Sequence, residues 1–310
     1  MICPKPLTTV VNRPIHWLWK PFLPFGKVTL IQGETGRGKT TLLVKIMADL
    51  SRGIYPPTVY QGALLSPCRG EPVKSFYATV ENDMSDTVAP QFDIFGGDRG
   101  NVFFQDETQG HFILNGAEID ECVRMTGARL IVIDPWQQFL DNASSSDNNA
   151  LRSMICDAQA AAERTGAAVV LAGNFTKSLG TDIKRGIGGA ELMNTLRCVL
   201  TLQDDPEGDP TTKILIPTKM SLLGKDSTPV IVHQNDDMQL VFSTDCEQTD
   251  IDPAAFLHDI LSNGPLDSNA VRKMAEEVGI GASVLYRNRE KANVIIEKQP
   301  DKSSLWRLRK

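Results

Sequence analysis

Short apolar runs alternate along the first two thirds of the chain with segments in which hydrophobic residues recur at helical spacing. The apolar runs predict β-strands at residues 28–32, 73–80, 101–105, 129–134 and 167–172. Helical spacing predicts α-helices at residues 40–50, 118–126 and 150–165. Strands that alternate with helices favour a parallel sheet with helices on both faces. The pattern therefore predicts an α/β fold with a mainly parallel sheet.

The pattern changes at both ends of this region. Apolar runs near residues 198–203, 212–217, 229–233 and 238–242 follow one another, with no helical segment between the last three. Short connections favour antiparallel pairing, so we expect an antiparallel extension at one edge of the sheet. Residues 1–27 are rich in proline, which removes backbone donors. We expect an irregular N-terminal arm there, packed either on a neighbouring subunit or on its own domain.

A polar, acidic linker near residues 244–252 precedes a C-terminal segment with a different pattern. Residues 254–263 predict a helix with one apolar face, and Ser268 and Ser283 are good N-caps for two further helices. Apolar runs at residues 294–297 and 305–308 predict a hairpin. The order of these elements resembles a small winged helix-turn-helix domain at residues 252–310.

Composition narrows the class of protein. The 310 residues carry a net charge of −6, which argues against a uniformly basic coat for nucleic acid. No apolar run approaches the roughly 20 residues that span a bilayer, and the N-terminus lacks the apolar segment of a signal peptide. The six cysteines form no C-x-x-C pair, which disfavours a structural zinc site. We therefore expect a cytoplasmic protein with reduced thiols and no membrane partner.

The segment between the first predicted strand and the first predicted helix matches the phosphate-loop pattern G-x-x-x-x-G-K-[ST]. In such loops, backbone N–H groups and the positive end of the following helix face the phosphates. Lys39 would reach the β- and γ-phosphates, and the Thr40 hydroxyl would bind Mg²⁺. The predicted nucleotide-binding residues are Gly33, Glu34, Thr35, Gly36, Arg37, Gly38, Lys39, Thr40 and Thr41.

Two carboxylates close predicted strands, where ligands of open α/β sheets bind. Asp134 ends a near-continuous apolar run and fits the Walker B aspartate, which holds Mg²⁺ through its water shell. Glu81 ends the strand that follows the P-loop helix, where a glutamate can accept a proton from the water that attacks the γ-phosphate. The residues alone leave Glu81 open between this role and that of a solvated acid.

Several stretches together resemble the RepA-like branch of the RecA/DnaB superfamily of hexameric P-loop ATPases. They lie within residues 15–245, at 33–41, 77–82, 128–136, 161–170, 185–189, 194–197 and 219. The resemblance implies a RecA-like ATPase domain at residues 28–245 that binds ATP and Mg²⁺ and assembles as a homohexamer. It also implies that Glu81 is the catalytic base.

The chain departs from this family at two positions. Asn174 stands where the family usually has a histidine at the end of the fourth strand, and Gly189 stands where it usually has serine. An amide can still hydrogen-bond the γ-phosphate or the attacking water, but it cannot carry charge. We therefore expect Asn174 to act at the site with weaker coupling between ATP and DNA.

Ring-forming members of this family complete each site with a cation from the next subunit, which offsets charge at the γ-phosphate. Candidates for this cation are Arg185, Arg197 and Lys219. Lys219 is preferred for its place in the late strands, and Arg197 could equally form a structural ion pair.

Basic residues in two regions are candidates for DNA contact. In RecA-like rings, the loops equivalent to residues 141–149 and 178–190 face the channel, although here they could equally be plain solvent-exposed loops. Candidate contacts with single-stranded DNA are Lys177, Lys184 and Arg185. A winged helix would bind duplex DNA or serve protein contact, and its candidate DNA contacts are Arg287, Arg289 and Lys291.

These features together predict an ATP-driven ring ATPase that acts on DNA, as a helicase or translocase of a mobile genetic element. An alternative is a regulator whose ATP state controls DNA binding without translocation. A third hypothesis, a P-loop kinase for a small molecule, is disfavoured by the separate glutamate base and by the lack of an arginine-rich lid.

Overall fold

A computed structural model of the chain shows a central nine-stranded sheet and a smaller C-terminal unit. The structure describes residues 4–12, 14–60, 63–81, 83–106, 108, 110–141, 147–174, 195–206, 208–222, 228–244, 251–278, 280–299 and 303–309.

The elements of the described residues are numbered in chain order. The strands are β1 (Trp17–Trp19), β2 (Leu23–Pro24), β3 (Val28–Gly33), β4 (Ile54–Tyr55), β5 (Val59–Tyr60), β6 (Ala63–Leu64), β7 (Cys68–Arg69), β8 (Ser75–Ala78), β9 (Val102–Phe104), β10 (Leu130–Ile133), β11 (Ala168–Asn174), β12 (Cys198–Asp204), β13 (Thr212–Met220), β14 (Val230–Gln234), β15 (Leu240–Ser243), β16 (Leu266–Asp267), β17 (Val294–Lys298) and β18 (Ser304–Leu308). The helices are α1 (Lys39–Ser51), α2 (Ala89–Ile94), α3 (Gly116–Thr126), α4 (Asn148–Thr165), α5 (Pro253–Ile260), α6 (Ser268–Glu277) and α7 (Ala282–Asn288).

The central sheet has the order β15-β14-β13-β12-β3-β11-β10-β8-β9. Strands β12, β3, β11, β10, β8 and β9 are parallel, and β13 to β15 continue the sheet antiparallel beyond β12. Both features confirm the predictions from the sequence. Since β11 lies between β3 and β10, the sheet has the strand order of a RecA-like P-loop core.

The central strands of the sheet are mainly apolar, and helices cover both of their faces. One face packs against α1, whose Leu43, Ile46 and Met47 are fully buried. The other face packs against α3 and α4, through side chains such as Ile119 and Ile155. Parallel strands with helices on both faces show this continuous burial rather than an alternating pattern.

The N-terminal residues form more regular structure than the proline-rich sequence predicts. Strands β1 and β2 pair as a short antiparallel hairpin, and Trp17, Leu18 and Trp19 are buried. The Trp19 indole Nε1 donates a hydrogen bond to the Pro57 carbonyl at 2.8 Å. The hairpin therefore packs on its own domain, because its aromatic side chains find apolar surface there.

The C-terminal unit contains α5, β16, α6, α7, β17 and β18 in this order, and the strands form a sheet of order β16-β18-β17. Its core includes the buried side chains Phe256, Leu285 and Trp306. The predicted caps were wrong. Asp267 rather than Ser268 caps α6, and Ser268 accepts a hydrogen bond from Trp306 Nε1 instead. Ser283 lies inside α7, which begins after Gly281.

The C-terminal unit contacts the segment between α1 and β8, residues 52–74. Tyr60 and Leu65 belong to the same apolar cluster as Phe256, and the Ser66 backbone N donates to the Glu277 carboxylate at 2.6 Å. These contacts attach the unit to the domain that contains the central sheet. No helix in the described part of the chain is both long and apolar enough to cross a bilayer.

Candidate functional site

The P-loop joins the carboxyl end of β3 to the start of α1. Gly33 is the last residue of β3, and Lys39 is the first residue of α1. The Gly38 backbone has φ of 80°, in the left-handed region that favours glycine. Gly33 is needed for a different reason: a Cβ there would overlap the carbonyl oxygen of Leu202 in β12. The two glycines thus fit the loop to its turn and to the neighbouring strand.

We expect Gly33→Ala to lower the free energy of unfolding by about 1–3 kcal/mol, because the added methyl must displace a backbone carbonyl in the sheet. Urea unfolding measures this change. Gly281→Ala is the matched control, since a Cβ at Gly281 meets nothing within 4 Å. Equal stability of the two variants would contradict the tight packing of β12 against the start of the P-loop.

Lys39 begins α1, and its buried side chain reaches back into the P-loop. Its Nζ donates hydrogen bonds to the carbonyl oxygens of Gly33 at 3.1 Å and Glu34 at 2.8 Å. Burial lowers the pKa of Lys39, and the charges of Asp134 and Glu81 oppose this shift. The ammonium group is therefore enclosed by the loop, where it can meet phosphate oxygens.

Asp134 and Thr40 meet in the way that a magnesium site requires. The Thr40 hydroxyl donates a hydrogen bond to Asp134 Oδ2 at 2.6 Å. Burial raises the pKa of Asp134, while hydrogen bonds from Thr40 and Tyr77 and the charge of Lys39 oppose the shift. A buried carboxylate paired with a hydroxyl oxygen is a hard oxygen donor set. The residues present therefore fit Mg²⁺.

Tyr77 is part of this site, although the sequence analysis assigned it no role there. Its hydroxyl donates a hydrogen bond to Asp134 Oδ2 at 3.2 Å. The parallel register of β8 with β10 places Tyr77 level with Val132, two residues before Asp134. A hydroxyl near the carboxyl end of the strand next to the Walker B strand was the signal that could have identified it. Tyr77 helps to fix the orientation of the carboxylate.

Glu81 lies on the loop that follows β8, not at the end of the strand. The strand ends at Ala78, two residues before the end at residue 80 that the sequence predicts. The carboxylate is exposed, and its charge acts on Lys39. The structure therefore brings Glu81 to the same edge of the sheet as Lys39 and Asp134, with access to water.

Asn174 ends β11 directly beside the P-loop, since its register partner in β3 is Gly33. Gln137 lies close by, because a Cβ at Gly173 would be 3.1 Å from Gln137 Nε2. The buried Gln137 Oε1 has no hydrogen-bond partner among the described residues. The site thus has two amides, Asn174 at the end of β11 and Gln137 in the short 3-10 turn that follows β10. Sequence reasoning missed Gln137, which follows Asp134 by three residues.

Arg37 ties the P-loop to β12. Its guanidinium Nη2 donates to Glu34 Oε2 at 2.6 Å, and it also forms an ion pair with Asp204. The hydrogen bond with Glu34 is the main reason that the pKa of Arg37 is raised. Thr41, at the start of α1, accepts a hydrogen bond from Gln91 Nε2 at 3.2 Å. Asp204 of β12 therefore holds the side chain of Arg37, and Gln91 of α2 holds that of Thr41.

Arg197 and Lys219 lie away from the edge of the sheet that carries the P-loop. The register places Lys219 level with Leu30 and Arg197 level with Val28. At about 3.3 Å per residue, Arg197 is on the order of 16 Å from the level of Gly33. Burial raises the pKa of the Cys198 thiol to about 11, and the charges of Arg197 and Lys219 oppose this shift. Neither cation is part of the site in its own chain.

The candidate DNA contacts fall into two groups. Lys177, Lys184 and Arg185 lie outside the described residues. Arg287 is in the last turn of α7, and Arg289 and Lys291 follow it; all three side chains are exposed. The exposed end of α7 therefore carries three basic residues on the surface of the C-terminal unit.

One comparison with known proteins identifies the family of this chain. Among curated proteins, none matches this chain. The solved structures that it resembles include a KaiC-like protein, PH0186, from the hyperthermophilic archaeon Pyrococcus horikoshii OT3. The two share 17% identity over 71% of this chain and 90% of that one, with a TM-score of 0.47. The family model described as AAA domain (AAA_25) matches residues 8–179, more than half of the 310 residues. The chain therefore belongs to this AAA domain family and is a P-loop ATPase.

Proposed function

We propose that this protein is a Mg²⁺-dependent ATP-hydrolysing motor of the RepA-like branch that acts on DNA, as a replicative helicase or translocase of a mobile genetic element. The observation that carries the proposal is the convergence of Lys39, the Thr40–Asp134 pair and Glu81 at one edge of the sheet. A separate glutamate beside a Walker B aspartate is the arrangement for in-line attack by water rather than for transfer to a bound alcohol.

Each residue of the site has a distinct task in hydrolysis. Thr40 and Asp134 would hold Mg²⁺, which neutralises charge on the β- and γ-phosphates when it is bound. Lys39 binds the same phosphate oxygens. Glu81 accepts the proton of the attacking water, because its carboxylate is exposed to solvent at the site. Asn174 supplies a neutral amide that orients the γ-phosphate or the water.

The position of Lys219 and Arg197 supports a ring. Both are on the order of 10–16 Å from the level of their own P-loop, at about 3.3 Å per residue. A cation needed at the γ-phosphate would then come from a neighbouring subunit, as in other ring ATPases. In this proposal the active assembly is a homohexamer, and Lys219 is the preferred trans-acting cation.

The C-terminal unit supports action on DNA. Its order of three helices and three strands resembles that of a winged helix-turn-helix, in which the third helix enters the major groove. Here that helix is α7, and Arg287, Arg289 and Lys291 lie at its exposed end. Lys177, Lys184 and Arg185 are proposed to contact single-stranded DNA in the ring channel.

The test is the ATPase rate with and without single-stranded DNA, measured together with the native mass. We expect a hexamer whose ATP hydrolysis is stimulated several-fold by DNA, because charge-neutralising contacts couple the strand to the ring. The stimulation should fall as salt rises. A monomer or dimer whose rate ignores DNA would contradict the motor and favour an ATP-regulated DNA-binding regulator.

A further inference from the structure

A cavity of about 360 Å³ lies at the end of the parallel sheet opposite to the P-loop. Two of its lining residues show this position: Phe25 precedes β3, and Arg129 precedes β10. The other walls come from the N-terminal hairpin, from the segment between α1 and β8, and from the C-terminal unit at the end of α5 and the turn that follows it. Its size is within the range of small-molecule sites, and it is formed where three chain segments meet, as such sites often are.

The wall of the cavity carries positive charge that the described residues do not neutralise. Lys20 lines the cavity but forms an ion pair with Asp259. Arg69 and Arg129 also line it, and neither forms an ion pair within the described part of the chain. Glu71 is the remaining acidic residue of the described lining. Two cations facing one carboxylate favour an anionic ligand.

Aromatic rings lie beside these cations. The Arg129 guanidinium carbon lies 4.1 Å from the centroid of the Phe25 ring, so the two groups are stacked. Tyr55 lines the same cavity, and its hydroxyl donates to the Glu71 carbonyl at 3.1 Å. A stacked guanidinium keeps the N–H donors at its edge for an oxyanion. The lining therefore combines surfaces for a planar ring with donors for a phosphate.

We propose that this cavity binds a nucleoside monophosphate unit, separately from the ATP at the P-loop. Its base would stack on the Tyr55 and Arg129 groups, as bases do on aromatic rings and guanidinium planes. Arg69 and Arg129 would bind its phosphate. Thr58 and Asn263, which also line the cavity, supply hydrogen-bonding groups for the edge of the base.

Occupancy of the cavity would act on the C-terminal unit. The Trp17 backbone N donates to Asn263 Oδ1 at 2.8 Å across the cavity wall. The Lys20–Asp259 ion pair joins the same two segments. A ligand that touches both sides adds contacts to this junction and favours the docked arrangement, because it binds that arrangement better than a separated one. In this proposal the cavity regulates the docking of the C-terminal unit, the unit that also contains α7.

Calorimetric titration with AMP and GMP tests the proposal, with the P-loop saturated by ADP and Mg²⁺. We expect one saturable site per chain. Arg69→Gln and Arg129→Gln should each weaken binding by about tenfold or more, the effect of losing a charge-assisted contact. Arg129→Lys keeps the charge but loses the flat stack, and it should also weaken binding. Arg124→Gln, at an exposed arginine of α3, is the matched control and should bind as the parent does.

A short single-stranded oligonucleotide shows whether the bound nucleotide unit comes from a nucleic acid strand or from a free mononucleotide. If it competes with AMP and shows the same dependence on Arg69 and Arg129, the unit belongs to a strand; if it does not compete, the ligand is a free mononucleotide. Three results would overturn the proposal: no saturable binding of either mononucleotide, equal binding of inorganic phosphate, or binding that neither arginine substitution changes.

Discussion

The Glu81→Gln variant is expected to lose ATP turnover by at least about two orders of magnitude, the contribution of a general base. The amide keeps the shape of the side chain but cannot accept the proton of the attacking water. ATP binding should be unchanged, because the groups that face the phosphates are Lys39 and the P-loop backbone. Steady-state hydrolysis and equilibrium binding of a fluorescent ATP analogue measure the two effects separately.

Two comparisons make this result specific. Glu276→Gln removes an equally exposed carboxylate from α6 in the C-terminal unit and should leave turnover intact. Glu81→Asp keeps the charge but withdraws the carboxylate by one methylene, so it should retain part of the activity. Turnover in Glu81→Gln that equals the parent would remove Glu81 from the role of base and leave it as a solvated acid beside Lys39.

The core of the fold could be predicted because its signals are local and strong. Strand β10 is a continuous apolar run, and β11 is apolar up to Asn174; parallel strands buried on both faces have this composition. Asp134 was identifiable for the same reason, since a carboxylate directly after such a run must lie at the sheet edge. The P-loop residues follow from a pattern that is contiguous in sequence.

The errors have local physical causes as well. The helix caps were misassigned because Asp267 and Ser268 are adjacent and both can cap; the contact between Ser268 and Trp306, 38 residues away, decided between them. The end of β8 was set too late because Thr79 and Val80 have strand propensity, but the chain leaves the sheet after Ala78. Tertiary context overrides β-propensity in such cases.

The parts of the site that the sequence could not reveal depend on contacts between distant segments. The Tyr77–Asp134 and Arg37–Asp204 contacts join different strands and loops. The cavity lined by Arg69 and Arg129 is further removed still, since its walls are made by the N-terminal hairpin, the segment between α1 and β8 and the C-terminal unit. Strand register and packing bring these residues together, and no short sequence motif encodes such contacts.

The Lys39→Met variant is expected to lose ATP binding and hydrolysis together. Methionine has nearly the length of lysine but supplies no charge or donor to the β- and γ-phosphates. The fold should tolerate it: burial already disfavours the charged form of Lys39, as its lowered pKa shows, and replacing a buried charge with an apolar side chain of similar volume is often close to neutral. The melting temperature should therefore stay near that of the parent.

Lys45→Met, six residues further along α1, should give the opposite result. Lys45 Nζ donates to both carboxylate oxygens of Asp49, at 2.8 and 2.7 Å, and the pair is largely buried. Its loss leaves Asp49 with the weaker contact from Arg52 at 3.2 Å, so stability should fall by about 1–3 kcal/mol while ATP still binds. Normal ATP binding by Lys39→Met would show that the loop is not the phosphate site. Loss of ATP binding in both variants would show that damage to α1 causes the loss. Lys39 is assigned to the phosphates only if Lys39→Met loses ATP binding and Lys45→Met keeps it.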